Sequence, residues 1–168
     1  MRSLLLIVLL FFVLGFAHAF AQDQCDLAAV LIDKSNSGTA VYDKPDGKVK
    51  EHIKPAYDTE GMEVVHILRN QSKWLNIKWG TNKVGWVHSG SIGVWTRNQP
   101  NEIARLYSKP DKKSKVIVTL PTEDEQFAII MECNGGWVFV RVLDAKKKPK
   151  EGWLPPEFQC AEPHTSCT

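Results

Sequence analysis

The sequence predicts an all-β protein made of two tandem small β-barrels, and three observations carry that prediction. The chain repeats itself: Val41-Tyr42-Asp43-Lys44-Pro45-Asp46 returns as Leu106-Tyr107-Ser108-Lys109-Pro110-Asp111, and two further landmarks return in the same order. Short runs of alternating apolar and polar residues are separated by turn residues at regular spacing. No stretch downstream of the first twenty-one residues shows sustained helical periodicity.

Those first twenty-one residues form a separate element. Met1-Arg2-Ser3 gives a positive start, Leu4 to Ala17 is apolar apart from Gly15, and Ala17-His18-Ala19 or Ala19-Phe20-Ala21 supplies a small-x-small cleavage pattern. Residues 1–21 therefore read as a secretory signal peptide, whose apolar core is too short to span a bilayer comfortably. Asp23-Gln24 before Cys25 lack the small residues of a lipidation site. The mature form is expected to carry no membrane anchor and to be secreted or periplasmic.

With Lys+Arg 21 against Asp+Glu 19, the chain is close to neutral, and a nucleic-acid partner held by bulk charge is excluded. Aromatic content of 10% and charged content of 24% are those of a folded protein.

In the first copy, residues 62–69 and 73–79 read as strands separated by Asn70-Gln71-Ser72, and Gly80-Thr81-Asn82 turns the chain into a strand over 83–88. In the second, residues 126–132 and 136–143 flank Asn134-Gly135, a hairpin signal, and Val116-Ile117-Val118 adds a β-branched run. Lys73-Trp74-Leu75-Asn76-Ile77 matches Gly136-Trp137-Val138-Phe139-Val140, and Gly85-Trp86-Val87 matches Gly152-Trp153-Leu154. Each copy, at about 55 to 60 residues, has the size of a strongly bent small barrel.

The order Tyr-x-x-Pro, a strand pair carrying Lys-Trp or Gly-Trp, and a closing Gly-Trp-Val or Gly-Trp-Leu resembles the bacterial Src-homology-3 domain, here in tandem. The lead-in Leu31 to Gly38 is similar to that family's first strand and turn, although both copies depart from its Asn-Val-Arg-x-x-Pro opening. The resemblance implies two Src-homology-3-like barrels at 26–94 and 102–159, a linker at 95–101 and a tail at 160–168. It also implies a shallow aromatic groove that takes peptidoglycan or an extended peptide of an envelope protein. That groove would collect Tyr42, Trp74 and Trp86 in the first copy and Tyr107, Trp137 and Trp153 in the second.

Strand alternation agrees on which faces these rings take. Leu75, Ile77 and Trp79 share one face with the core, as do Val138, Val140 and Val142, which leaves Trp74 and Trp137 pointing away from it. An outward ring binds a ligand or packs on a neighbouring element, and alternation alone does not choose. The short 95–101 stretch contains Trp95, which points to a fixed joint between the copies.

Nothing in the sequence supplies a catalytic constellation. Cys133 sits beside a hairpin turn, away from any helix N-terminus that would stabilise a thiolate, and Gly90-Ser91-Ile92-Gly93 lacks a nucleophile elbow's pattern. Glu123-Asp124-Glu125 reads as a solvated turn and Lys146-Lys147-Lys148 as a solvated hairpin tip. The protein is expected to be non-enzymatic, with no cofactor and no metal. Cys160, His164 and Cys167 have metal-like spacing, but an oxidising compartment favours a Cys160–Cys167 disulfide. Cys25 then pairs with Cys133 only if the lead-in strand passes the second copy's hairpin. The expected function is an exported, non-catalytic tandem binding module for peptidoglycan or an envelope peptide; the alternative is an inhibitor or accessory subunit of a secreted or periplasmic enzyme.

Signal-peptide removal has a direct measurement. The exported protein is expected to begin near Phe20 or Gln22 by intact mass, and an exported product retaining Met1 would refute the cleavage assignment.

Overall fold

The computed structural model describes residues 24–32, 37–54, 63–121, 126–142 and 148–161. Among the described residues there are thirteen strands, and every ladder is antiparallel: β1 Gln24–Leu31, β2 Thr39–Tyr42, β3 Val49–Ile53, β4 Val64–Gln71, β5 Trp74–Trp79, β6 Lys83–His88, β7 Ile92–Thr96, β8 Arg105–Tyr107, β9 Val116–Thr119, β10 Gln126–Asn134, β11 Trp137–Val142, β12 Lys150–Leu154 and β13 Gln159–Cys160. One 3-10 turn, Pro156–Phe158, precedes β13. The all-β class expected from the alternation is what the chain adopts.

The architecture corrects the expectation of two closed barrels. The strands form one continuous open sheet, in the order β3-β2-β6-β5-β4-β1-β7-β10-β11-β12-β8-β9, with β13 on β7. The physical reason is that β7 serves both halves. One of its sides carries β10, from Gln126 opposite Thr96 to Ile129 opposite Gly93. Its other side is divided between β1, with Val30 opposite Gly93, and β13, with Cys160 opposite Trp95.

The internal repeat survives in these pairings. β1 lies on β4 as β7 lies on β10, and β1 meets β7 as β7 meets β13. The hairpin β2–β3 docks on β6 at Tyr42 opposite Trp86, as β8–β9 docks on β12 at Tyr107 opposite Trp153. β7 is thus the last strand of the first unit and the first strand of the second. Trp95 and Thr96, at the start of the predicted linker, are β7 residues, and the Arg97 amide donates to Phe158 O at 3.0 Å.

The repeated glycine of the Gly-Trp motif has a steric cause. A Cβ on Gly152 would lie 2.8 Å from Leu106 Cβ and 3.1 Å from Tyr107 O, and one on Gly85 would meet Val41 and Tyr42 O. Only a residue without a side chain lets β6 and β12 cross so close to β2 and β8.

The two central hairpins turn through residues 72–73 and 135–136, one residue later than the sequence signals in each case. Gly135 and Gly136 both have positive φ, 55° and 84°, as a type I′ hairpin turn requires.

The core faces follow the alternation. Leu75, Ile77, Val138, Val140 and Val142 have no exposed surface, and Trp79 packs with them. Across the joint, Cys25 of β1 is disulfide-bonded to Cys133 of β10 with Cα atoms 5.6 Å apart, so the lead-in strand does pass the second unit's hairpin. The Gly135 amide donates to Gln24 O at 3.0 Å, and the buried Asn70 accepts from the Cys133 amide at 3.0 Å. Cys160 is disulfide-bonded as well; Cys167, its expected partner, lies outside the described residues, as does the signal peptide.

With β7 shared and a cross-link spanning 108 residues, unfolding is expected to be a single event. The Cys25→Ala/Cys133→Ala variant is expected to lose about 3–5 kcal/mol in urea denaturation while keeping one transition. Two resolved transitions in either protein would show that the units unfold separately.

Candidate functional site

The docking of each hairpin across the Gly-Trp strand gathers aromatic side chains on the side of the sheet opposite the core. In the first unit these are Tyr42 on β2, Trp86 and His88 on β6, and Trp74 on β5. Asn76 lies opposite Trp86 and Trp74 opposite His88. In the second unit they are Tyr107 on β8, Trp153 on β12, and Trp137 and Phe139 on β11. All six ring residues expected from the sequence therefore fall on two equivalent faces, three on each.

The two faces differ in what they leave open. Trp74 is 3% exposed, stacked at 3.8 Å under the His88 ring and met edge-on by Tyr42 at 4.9 Å. Trp86 is also buried and carries the Arg69 guanidinium 5.1 Å from its ring centre. Asn76 is satisfied by donating to Gly85 O at 2.9 Å. Trp74 Nε1, by contrast, is buried with no acceptor among the described residues. On the first face Trp74 and Trp86 are thus buried, while Tyr42 is half-buried and His88 exposed.

On the second face Tyr107 and Trp153 are buried, whereas Trp137 and Phe139 are half-buried. Trp137 meets Tyr107 edge-on at 5.7 Å, and Phe139 meets Trp153 at 5.6 Å. The position equivalent to His88 is Pro155, which has no aromatic ring. A side chain at Gly136 would touch Pro156 at 3.3 Å, which brings the 3-10 turn against the hairpin that presents Trp137. Gln159 fixes this corner by donating from Nε2 to Gly136 O at 2.8 Å and Leu154 O at 3.1 Å.

The hairpin between β8 and β9 closes the other flank. Lys112 at its tip pairs with Glu157 of the 3-10 turn and lies 3.8 Å from Glu102. The hydrogen bond to Glu157, reinforced by both carboxylates, holds the Lys112 ammonium above the usual lysine range. Among the described residues no other titratable group carries a resolved shift and no cluster of His, Cys, Asp or Glu has the arrangement of a metal site.

His88 and Phe139 share these faces with the six expected rings, and motif matching passes over both. The signal for both is present in the strand period, since each lies two residues from a ring already on the face. What each ring meets, Trp74 for His88 and Trp153 for Phe139, depends on cross-strand partners.

No family model matches the chain, and no curated protein matches it. Two solved structures from Trichomonas vaginalis are similar over most of its length. NlpC2 gives a TM-score of 0.33 at 13% identity, covering 86% of this chain and 50% of that one. NlpC1 gives 0.32 at 14%, covering 81% and 46%. The chain spans about half the length of each.

The contrast between the faces separates two substitutions that strand alternation treats alike. Trp74→Ala is expected to cost about 3–5 kcal/mol, as removal of a buried ring does, and Trp137→Ala less than about 2 kcal/mol. Chemical denaturation of both variants checks this, and equal losses would contradict the difference in burial.

Proposed function

We propose that the mature chain is an exported, non-catalytic binding module of the bacterial Src-homology-3 kind, and that its second unit holds an extended ligand, peptidoglycan or an extended peptide of an envelope protein. The observation that carries this reading is the half-buried Trp137–Phe139 pair backed by the buried Tyr107 and Trp153. Rigid rings that are already packed on one side lose little entropy on binding, and their free sides offer broad contact to a flat or extended chain. In the first unit the equivalent Trp74 is buried beneath the exposed His88 ring and the half-buried Tyr42, so it has no comparable free side.

Export is supported by the leader-like N-terminus and by a disulfide that joins distant parts of the chain, since such bonds persist in oxidising compartments. Among the described residues no helix is long and apolar enough to cross a membrane.

Sedimentation of the mature protein with purified peptidoglycan, run beside a pull-down from envelope extract, tests the reading. Trp137→Ala is expected to weaken retention at least about tenfold, the loss typical of a hot-spot aromatic, with a melting curve near the parent's. Trp74→Ala, assayed below its melting point, should retain binding. Parent protein that neither sediments nor captures a partner, or retention indifferent to Trp137, would overturn it. Capture of an enzyme without sedimentation would favour the inhibitor or accessory-subunit reading.

A further inference from the structure

The strand registers of the first unit lay out the side of its sheet opposite the core as three rows. One row runs His66, Lys78, Val84 over β4, β5 and β6. The next runs Gln24, Arg69, Asn76, Trp86, Tyr42 from β1 to β2, and the third Gln71, Trp74, His88. Residues paired across strands project to one side with Cβ atoms about 5 Å apart, and diagonal neighbours lie at roughly 7–8 Å. His66 is therefore beside Lys78, and Arg69 is on the diagonal from it. All three basic side chains are exposed, as are Gln24, paired with Arg69, and Gln71, two residues along β4.

No carboxylate stands in any of the rows, and among the described residues none of the three basic side chains forms an ion pair. The second unit has the same framework with the opposite balance. Its β10 is bulged between Ile130 and Glu132 as β4 is between Ile67 and Arg69, which sets Glu132 in the place of Arg69. Ile129, Arg141 and Glu151 take the places of His66, Lys78 and Val84. There Arg141 donates to Glu151 at 2.7 Å, whereas the residue across from Lys78 is Val84. Neighbouring cations without a counter-charge cost free energy. Arg69 in addition rests its guanidinium 5.1 Å from the Trp86 ring centre, and Trp74 Nε1 is a donor with no acceptor among the described residues. What this face lacks is anions.

We propose that the first unit's face binds a linear anionic polysaccharide, with His66, Arg69 and Lys78 taking its oxyanions and the Gln24 and Gln71 amides its hydroxyls. The site is separate from the second face and does not depend on that face binding anything. Three charges spread over a sheet hold a small free ion weakly, whereas a polymer that meets all of them binds through their sum. A protein partner needs an apolar interface centre, and in these rows both tryptophans are buried and only Val84 is an exposed large apolar residue. Single-stranded nucleic acid needs exposed rings on which bases stack, and the exposed ring here is that of His88 alone. A polysaccharide needs neither, because its oxyanions and hydroxyls match the cations and amides present.

The test is calorimetric titration of the mature protein with an oligogalacturonate, its methyl ester, and poly-L-glutamate of matched charge. Each probe is run on the parent, Arg69→Gln/Lys78→Gln, Arg69→Lys, Trp137→Ala, and Lys109→Gln/Lys113→Gln, which removes the same charge from the second unit. At about 50 mM salt the oligogalacturonate is expected to bind roughly tenfold tighter than its ester, and the preference to shrink at about 500 mM. Arg69→Gln/Lys78→Gln should lower its affinity at least about tenfold. Arg69→Lys, which keeps the charge over Trp86, should recover most of that loss and separates a binding role from a packing one. The other two variants should bind as the parent does.

No binding of the oligogalacturonate, equal binding of its ester, or affinity unchanged in Arg69→Gln/Lys78→Gln overturns the proposal. Poly-L-glutamate bound as tightly through the same residues overturns it in favour of an acidic protein segment. Loss in Trp137→Ala or Lys109→Gln/Lys113→Gln equal to that in Arg69→Gln/Lys78→Gln overturns the assignment to this face. None of these results bears on retention through Trp137, which the sedimentation assay reads separately.

Discussion

The pairing of β7 on both sides is the constraint on which the rest of the molecule depends. Five residues, Ile92 to Thr96, carry β10 along one side and share the other between β1 and β13. A unit of this size buries too little apolar surface to be secure alone, and an unpaired strand at its border would expose a row of amides. Using one strand as the end of the first unit and the start of the second removes both problems. The Cys25–Cys133 disulfide links the two strands that flank β7, so the covalent bond and the hydrogen bonds secure the same joint.

The aromatic faces follow from how each hairpin is seated. Gly85 and Gly152 let β2 and β8 lie close across the Gly-Trp strands, and that approach sets Tyr42 beside Trp86 and Tyr107 beside Trp153. The same backbone geometry then leads to different surfaces, because side chains two residues along decide what is covered. The His88 ring lies over Trp74 at an interplanar angle of 31°, and Trp74 is buried, whereas the equivalent of His88 in the second unit is Pro155 and Trp137 there is half-buried. The two equivalent frameworks thus differ in burial, with Trp74 buried in the first unit and Trp137 half-buried in the second.

Charge follows the same division. The first unit's hairpin, residues 43–50, sets three lysines against two aspartates, while the second unit's, residues 108–115, sets four against one and engages Lys112 in anchoring its own tip. Exposed pairs such as Lys112–Glu157 add little to stability. Their consequence here is positional, since they bring the hairpin, the 3-10 turn and the Trp137 corner together.

The all-β class, the duplication, the core faces and the outward direction of Trp74 and Trp137 were legible in the sequence because they depend on the two-residue period of a strand and on motif order, both of which are local. The Cys25–Cys133 bond was legible only as a condition, that the lead-in strand pass the second hairpin. Whether the units would be separate barrels or one open sheet depended on β7 finding partners in β1, β10 and β13, contacts that no local pattern encodes. The exposure of each outward ring was likewise tertiary. Pointing away from the core is a property of one strand, but being covered depends on the residue across it, and His88 and Pro155 reach those places only when the sheet has formed.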